Sequence, residues 1–248
     1  MRNKKQEKPK RTKVIVTRAL SQAKPLIKKL TESGFETFHL PTIEIRPPND
    51  GGKDLRESIQ RLEEYDWIIL TSSNGAEIFL REINDRTVID QKQIAVIGSG
   101  TEKMLKEHGF KADLIPKDFL AEGLVQAFPD IQDNGKVLLP CAAKARDFLP
   151  IALRQSGWTV DVVHAYQTCI PEQFDSFDNQ KIGADFIIFT SPSTIENFIT
   201  MYGLENMPPK IISIGPVTTK AIRAFDFHVD SEAKLSNIQG IIDCLLEK

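Results

Sequence analysis

Cysteine, tryptophan and histidine are all scarce in this chain, at 3, 2 and 4 of 248 residues. Cys141, Cys169 and Cys244 are odd in number and scattered, so a disulfide framework is not expected and a reduced, cytoplasmic setting fits best. The histidines (His39, His108, His164, His228) lie far apart without ligand spacing, and no metal site is expected. No apolar stretch reaches the roughly 18 residues of a membrane helix. Neither charge is in excess: Lys+Arg is 32 against Asp+Glu 34, a net of -2, so an overall basic footprint for nucleic acid is missing. Phosphate-binding fingerprints are missing too. Gly98-Ser99-Gly100 needs a third glycine at position 103, which is Lys103, and there is no P-loop pattern. No Ser-His-Asp set or carboxylate pair stands out.

What remains is ordinary globular composition, 41% hydrophobic and 27% charged, enough for one large domain or two smaller ones. The exception is the start. Residues 1–13 hold seven basic side chains against Glu7, a net of +6 by subtraction. No apolar core follows, so a secretory signal is not expected. Residues 1–12 read as a disordered basic tail.

The informative feature is an internal repeat. KVIVTRALSQAKPLIKKLTESGFETFHLPTIEI from Lys13 matches KVLLPCAAKARDFLPIALRQSGWTVDVVHAYQT from Lys136. DWIILTSSNGAEIFL from Asp66 matches DFIIFTSPSTIENFI from Asp185, and the segment from Ile94 matches that from Ile211. The offsets are 136 − 13 = 123, 185 − 66 = 119 and 211 − 94 = 117. Each block is a continuous apolar run, a turn of small residues and a helical pattern. Runs without alternation, such as Val14–Val16, Trp67–Leu70 and Phe186–Phe189, suit strands buried on both faces. The expected fold is α/β, doubly wound on a parallel sheet, once per half. Ile187, Ile188 and Phe189 are assigned to the core.

Ligands of open parallel sheets sit beyond the carboxyl ends of the strands. Here those ends carry Thr17-Arg18, Thr71-Ser72-Ser73-Asn74-Gly75, Gly98-Ser99-Gly100-Thr101, Thr190-Ser191-Pro192-Ser193-Thr194 and Gly215-Pro216-Val217-Thr218-Thr219. Each stands where a helix begins. The plain reading is helix capping. The functional reading is a set of sites for carboxylate or phosphate, which helix starts favour. Cys141 heads a similar loop but has no neighbouring base, so it reads as a small strand-end residue rather than a nucleophile.

Taken in order, VIVTRA, TSSNG, VIGSGT, GWTVDVVHAYQT, TSPST and SIGPVTTKA resemble the uroporphyrinogen-III synthase family, over nearly the whole chain from Val14 to Leu246. The resemblance implies two similar α/β domains joined by a two-stranded linker: 13–38 with 173–248, then 42–166, with linker strands at 39–45 and 167–172. The repeat alone suggests a cut near 130. The implied enzyme is a lyase of tetrapyrrole (haem) biosynthesis. It closes the linear polycarboxylate hydroxymethylbilane to uroporphyrinogen III, inverting ring D through azafulvene and spiro intermediates in an interdomain cleft. No cofactor or metal is implied. A monomer is expected because no interface stripe stands out, composition points to no nucleic-acid or membrane partner, and a transient contact with hydroxymethylbilane synthase would suit an unstable substrate.

The resemblance makes Tyr166 the catalytic residue, a hydrogen-bond donor or general acid toward the leaving hydroxyl; the alternative is a strand tyrosine with a buried ring. Substrate contacts are carried over to Arg18, Ser72, Ser73, Asn74, Thr101, Ser191, Ser193, Thr218 and Arg146, with Lys220 only near the site. Cys141 departs from the family, which more often has arginine just after that strand. Competing readings are a small-anion binding protein, a nucleotide-binding regulator and an inactive relative that serves as an interaction module.

Overall fold

The computed structural model describes residues 11–131 and 134–247. The disordered-tail reading therefore lies outside the described residues up to position 10. The chain runs through β1 (Lys13–Val16), α1 (Leu20–Glu32), β2 (Glu36–His39), β3 (Glu44–Arg46), α2 (Lys53–Gln60), β4 (Trp67–Leu70) and α3 (Ser73–Glu82). Next come α4 (Arg86–Ile89), β5 (Gln93–Val96), α5 (Ser99–Glu107), α6 (Ala121–Ala127), β6 (Lys136–Ala142), α7 (Phe148–Gln155) and β7 (Thr159–Cys169). It ends with α8 (Asn179–Ile182), β8 (Phe186–Phe189), α9 (Pro192–Tyr202), β9 (Lys210–Ser213), α10 (Pro216–Arg223), β10 (Ser231–Glu232) and α11 (Ile238–Leu246).

Two compact units form. The first takes the chain up to Glu44 and resumes at Cys169; the second is Ile45–Thr168. Their sheets have the strand orders β10-β9-β8-β1-β2 and β3-β7-β6-β4-β5. In the repeat β1 corresponds to β6, β2 to β7, β8 to β4 and β9 to β5, so these four strands have the same order in both sheets. Neighbours along both sets of four are parallel. Each unit pairs a first-copy block with a second-copy block. A cut near 130 falls inside the second unit.

The apolar runs form strands because both faces are covered. In the first unit Val14, Val16, Ile188 and Ile212 pack with Leu26 and Ile241, from α1 and α11. On the other face Ile15, Ile187, Phe189 and Ile211 pack with Phe198 and Ile222, from α9 and α10. In the second unit Ile68, Leu70 and Val96 face Phe79 and Leu105, from α3 and α5, while Ile69, Val137 and Leu139 face Leu124 and Leu153, from α6 and α7. Ile187, Ile188 and Phe189 are fully buried. Each such side chain contributes about 1.5–3 kcal/mol of burial free energy.

Aspartates pin the amino ends of the strands. Asp185 Oδ2 accepts from the Lys13 amide at 2.8 Å, and Asp66 Oδ2 accepts from the Lys136 amide at 2.7 Å. The same exchange joins Asp113 to Ile94 (2.7 Å) and Asp230 to Ile211 (2.8 Å). A strand's first amide lacks a ladder partner there, and a carboxylate supplies a charge-assisted one. The opposite, carboxyl ends are thereby left to the loops rich in Ser, Thr and Gly.

Candidate functional site

In the second unit, Ser72 is the N-cap of α3, in extended conformation (φ -149°), and its Oγ accepts from the Gly75 amide at 3.1 Å. The same Oγ lies 3.1 Å from Tyr166 Oη. The tyrosine arrives there through a β-bulge. Strands β6 and β7 pair Cys141 with His164 but Ala142 with Tyr166, so Ala165 is the extra residue. Val163 and Ala165 belong to the core under α3 and α5. Strict alternation sends Tyr166 to the other face, with Val162 and His164. The bulge turns it back, and its ring joins Val163 and Ala165 in that core. The ring is buried, 6% exposed, as the alternative reading of this residue held; its hydroxyl nonetheless ends at the start of a helix.

The other face of the same sheet end holds a cavity of about 270 Å³, whose lining includes Thr71, Cys141, Arg146, Phe148 and His164. Burial, and secondarily Asp147, pushes the Cys141 thiol up to about 11. At neutral pH it is a thiol and a poor nucleophile. Arg146 is exposed. Phe119, Leu120 and Phe148 border the cavity and are 52%, 46% and 43% exposed. Sequence reasoning missed them. The available signal was an apolar pair, Phe119-Leu120, directly after Lys117-Asp118 in a loop. Ser73 and Thr101 lie in the first turns of α3 and α5, and the Ser73 Oγ approaches Gly100 so closely that a Cβ there would meet it at 3.2 Å. Asn74 follows in the same turn of α3.

The first unit closes its corresponding loop differently. Thr194 stands where the second unit has Gly75, and its Oγ1 accepts from the amides of Thr190 and Ser191, both at 3.2 Å, and donates to Ser191 O at 2.6 Å. Ser191 Oγ pairs with Ser193 Oγ at 3.0 Å. Ile43 stands where Tyr166 does; beside it the buried Thr42 donates to Thr194 O at 2.9 Å, and Asn197 donates to Thr42 O at 2.8 Å. Thr218 lies in the first turn of α10 and is buried, 3% exposed. Lys220, two residues further, is exposed. Arg18 follows β1, and burial pulls its guanidinium below the usual value. Its Nε is buried with no hydrogen-bond partner among the described residues. Leu20 and Val217, at the starts of α1 and α10, are 61% and 57% exposed.

The expected residues therefore fall into two sets: Arg18, Ser191, Ser193 and Thr218 in the first unit, and Ser72, Ser73, Asn74, Thr101, Arg146 and Tyr166 in the second. All stand at or just beyond the carboxyl ends of strands. Among them Ser72 meets Tyr166, and Ser191 meets Ser193. Among the described residues no group of three or more His, Cys, Asp or Glu is placed to hold a metal ion, and no helix is long and apolar enough to cross a membrane.

Two α/β units built on one strand order, with helix starts at the carboxyl ends of the strands, define a duplicated two-unit α/β protein. The uroporphyrinogen-III synthase HemD family model matches residues 24–243, and the chain belongs to that family. It is 30% identical over 248 residues to the uroporphyrinogen-III synthase of Synechococcus elongatus, covering 92% of both chains. It is 33% identical to the porphyrin biosynthesis protein HemD of Ruminiclostridium josui over 95% of its own length, but spans only 48% of that protein. Its fold resembles the crystal structures of uroporphyrinogen III synthase from Thermus thermophilus (TM-score 0.65, 16% identity, 96% of this chain and 100% of that one) and of the synthetase from Helicobacter pylori (TM-score 0.60, 18% identity, 96% and 99%).

Proposed function

We propose that the protein is a lyase that converts hydroxymethylbilane to uroporphyrinogen III, with inversion of ring D, in the cytoplasm. Family membership over residues 24–243 carries this reading. The geometry supplies its chemistry. The substrate is a flexible chain of apolar pyrrole rings bearing many carboxylates. The helix starts that follow Ser72, Gly98, Ser191 and Gly215 present their amino ends to carboxylates. Arg18, with its buried and unpartnered Nε, offers a cation. Exposed Leu20, Val217, Phe119 and Phe148 offer apolar surface to the rings. The uncatalysed closure gives the non-inverted isomer, so holding one folded shape is much of the task. Orientation of this kind is worth up to about 7–11 kcal/mol.

In the proposed reaction Tyr166 donates its proton to the terminal hydroxyl, which leaves as water. The resulting azafulvene is attacked by the substituted carbon of ring D, and the spiro intermediate fragments and recloses. The last pyrrole carbon to form a bond loses a proton, which restores the phenol. Substrate that closes unaided favours prompt delivery, so a transient contact with hydroxymethylbilane synthase belongs to the proposal. The test couples the protein to a hydroxymethylbilane source and separates the porphyrin isomers after oxidation. Type III is expected; type I alone, with and without the protein, overturns the reading.

A further inference from the structure

We infer that Ser72 is a positioning residue that acts on the reaction through Tyr166, and that the missing side chain of Gly75 is what lets the two hydroxyls meet. The inference rests on the function proposed above and assigns Ser72 a different task from direct substrate contact. A serine hydroxyl has one proton and two lone pairs. The Gly75 amide occupies one lone pair of Ser72 Oγ, at 3.1 Å. Tyr166 Oη is the other near neighbour, also at 3.1 Å. If Tyr166 gives its own proton to the departing hydroxyl, the hydrogen between the two residues must be Ser72's. Ser72 then donates to the oxygen on which negative charge grows as the substrate C–O bond breaks and water leaves. That charge forms beside the first turn of α3, a ten-residue helix whose amino end favours it. When the pyrrole carbon releases its proton, Tyr166 is restored and the protons balance.

Gly75 makes the approach possible. A Cβ at this position would lie 3.1 Å from Ser72 Oγ, 3.3 Å from the backbone oxygen of Pro140 and 3.8 Å from Tyr166 Cε1. The Pro140 carbonyl belongs to β6 and has little room to give way. The other unit supplies the contrast. Its loop carries Thr194 at this place and satisfies its own amides with that hydroxyl, and Ile43 stands at the repeat position of the phenol.

The test compares wild type, Ser72→Ala, Ser72→Thr, Tyr166→Phe, Gly75→Ala and the Ser72→Ala/Tyr166→Phe double variant, each checked for folding by circular dichroism. Type III formation is followed for kcat and KM. Ser72→Ala is expected to lower kcat about tenfold with KM unchanged, as for loss of one hydrogen bond to a charged group. Ser72→Thr restores most of the rate, and the double variant is no slower than Tyr166→Phe alone. A raised KM with normal kcat, or losses that multiply in the double variant, overturns the inference. A second readout does not depend on turnover. The chain has three tyrosines, so the 13C ring signal of Tyr166 is assigned by its absence in Tyr166→Phe. It is expected to move in Ser72→Ala and in Gly75→Ala. A signal that stays put in Ser72→Ala overturns the pairing, and one that stays put in Gly75→Ala, with full activity, overturns the part given to Gly75. A protein that makes no type III isomer while this signal responds as expected counts against the proposed function and leaves the pairing standing.

Discussion

The two units begin from the same blocks and finish their loops in opposite ways. After β8, Thr194 turns back and satisfies Thr190 and Ser191, so the loop is complete in itself. After β4, the corresponding Gly75 supplies no side chain, and the N-cap Ser72 reaches Tyr166 instead. The same divergence appears one strand over. Arg18 and Cys141 share a repeat position, and burial lowers the guanidinium of the first from its usual value and raises the thiol of the second. Duplication has kept the scaffold, and a few strand-end residues give the two corners different hydrogen bonds.

The largest expected effect tests that difference directly. Tyr166→Phe should lower type III formation about 100-fold, the scale of losing one general acid, in a protein with unchanged circular dichroism. Ile43→Val, at the matching place, should leave the rate alone and cost about 0.5–1.5 kcal/mol of stability by denaturant titration. Equal losses of activity would erase the distinction between the corners. Next, Thr42→Val removes the donor to Thr194 O and should cost about 1–2 kcal/mol of stability, read as a lower urea midpoint, with little change in kcat.

The smallest effect concerns Cys141. A thiol held near 11 is neutral below that pH and ionises only as pH rises through it, so at pH 8 about a thousandth is thiolate. In a variant with Cys169 and Cys244 replaced by alanine, alkylation by iodoacetamide should climb about tenfold per pH unit from 8 to 10. A plateau near pH 9 would show an ordinary thiol and remove the parallel with Arg18.

Much of the scaffold was legible in the residues. Runs such as Val14–Val16 and Phe186–Phe189, apolar without alternation, identify strands covered on both faces, and the repeat identifies which strands correspond. The loops at the carboxyl ends were also visible, because Ser, Thr and Gly stand where helices must start. The pairing of Ser72 with Tyr166 was not. The two are 94 residues apart, and their meeting depends on the extra residue Ala165, which interrupts the two-residue period of β7. A bulge leaves no local signature in HAYQT. The apolar rim of Phe119, Leu120 and Phe148 was missed for a related reason: composition assigns such residues to the interior, and only the fold shows them at the surface. The unit boundaries at Glu44/Ile45 and Thr168/Cys169 depend on which blocks pair, a long-range choice that similarity between copies does not encode.

That exchange of blocks has a consequence for the newborn chain. The unit Ile45–Thr168 is continuous, so all its strands have left the ribosome by the time β7 emerges. β1, α1 and β2 are made before it yet lack their central neighbour β8: Val16 pairs with Ile188, 188 − 16 = 172 residues downstream. Val14, Ile15 and Val16 are therefore made well before they are buried, and wait as an open sheet edge until β8 closes over them.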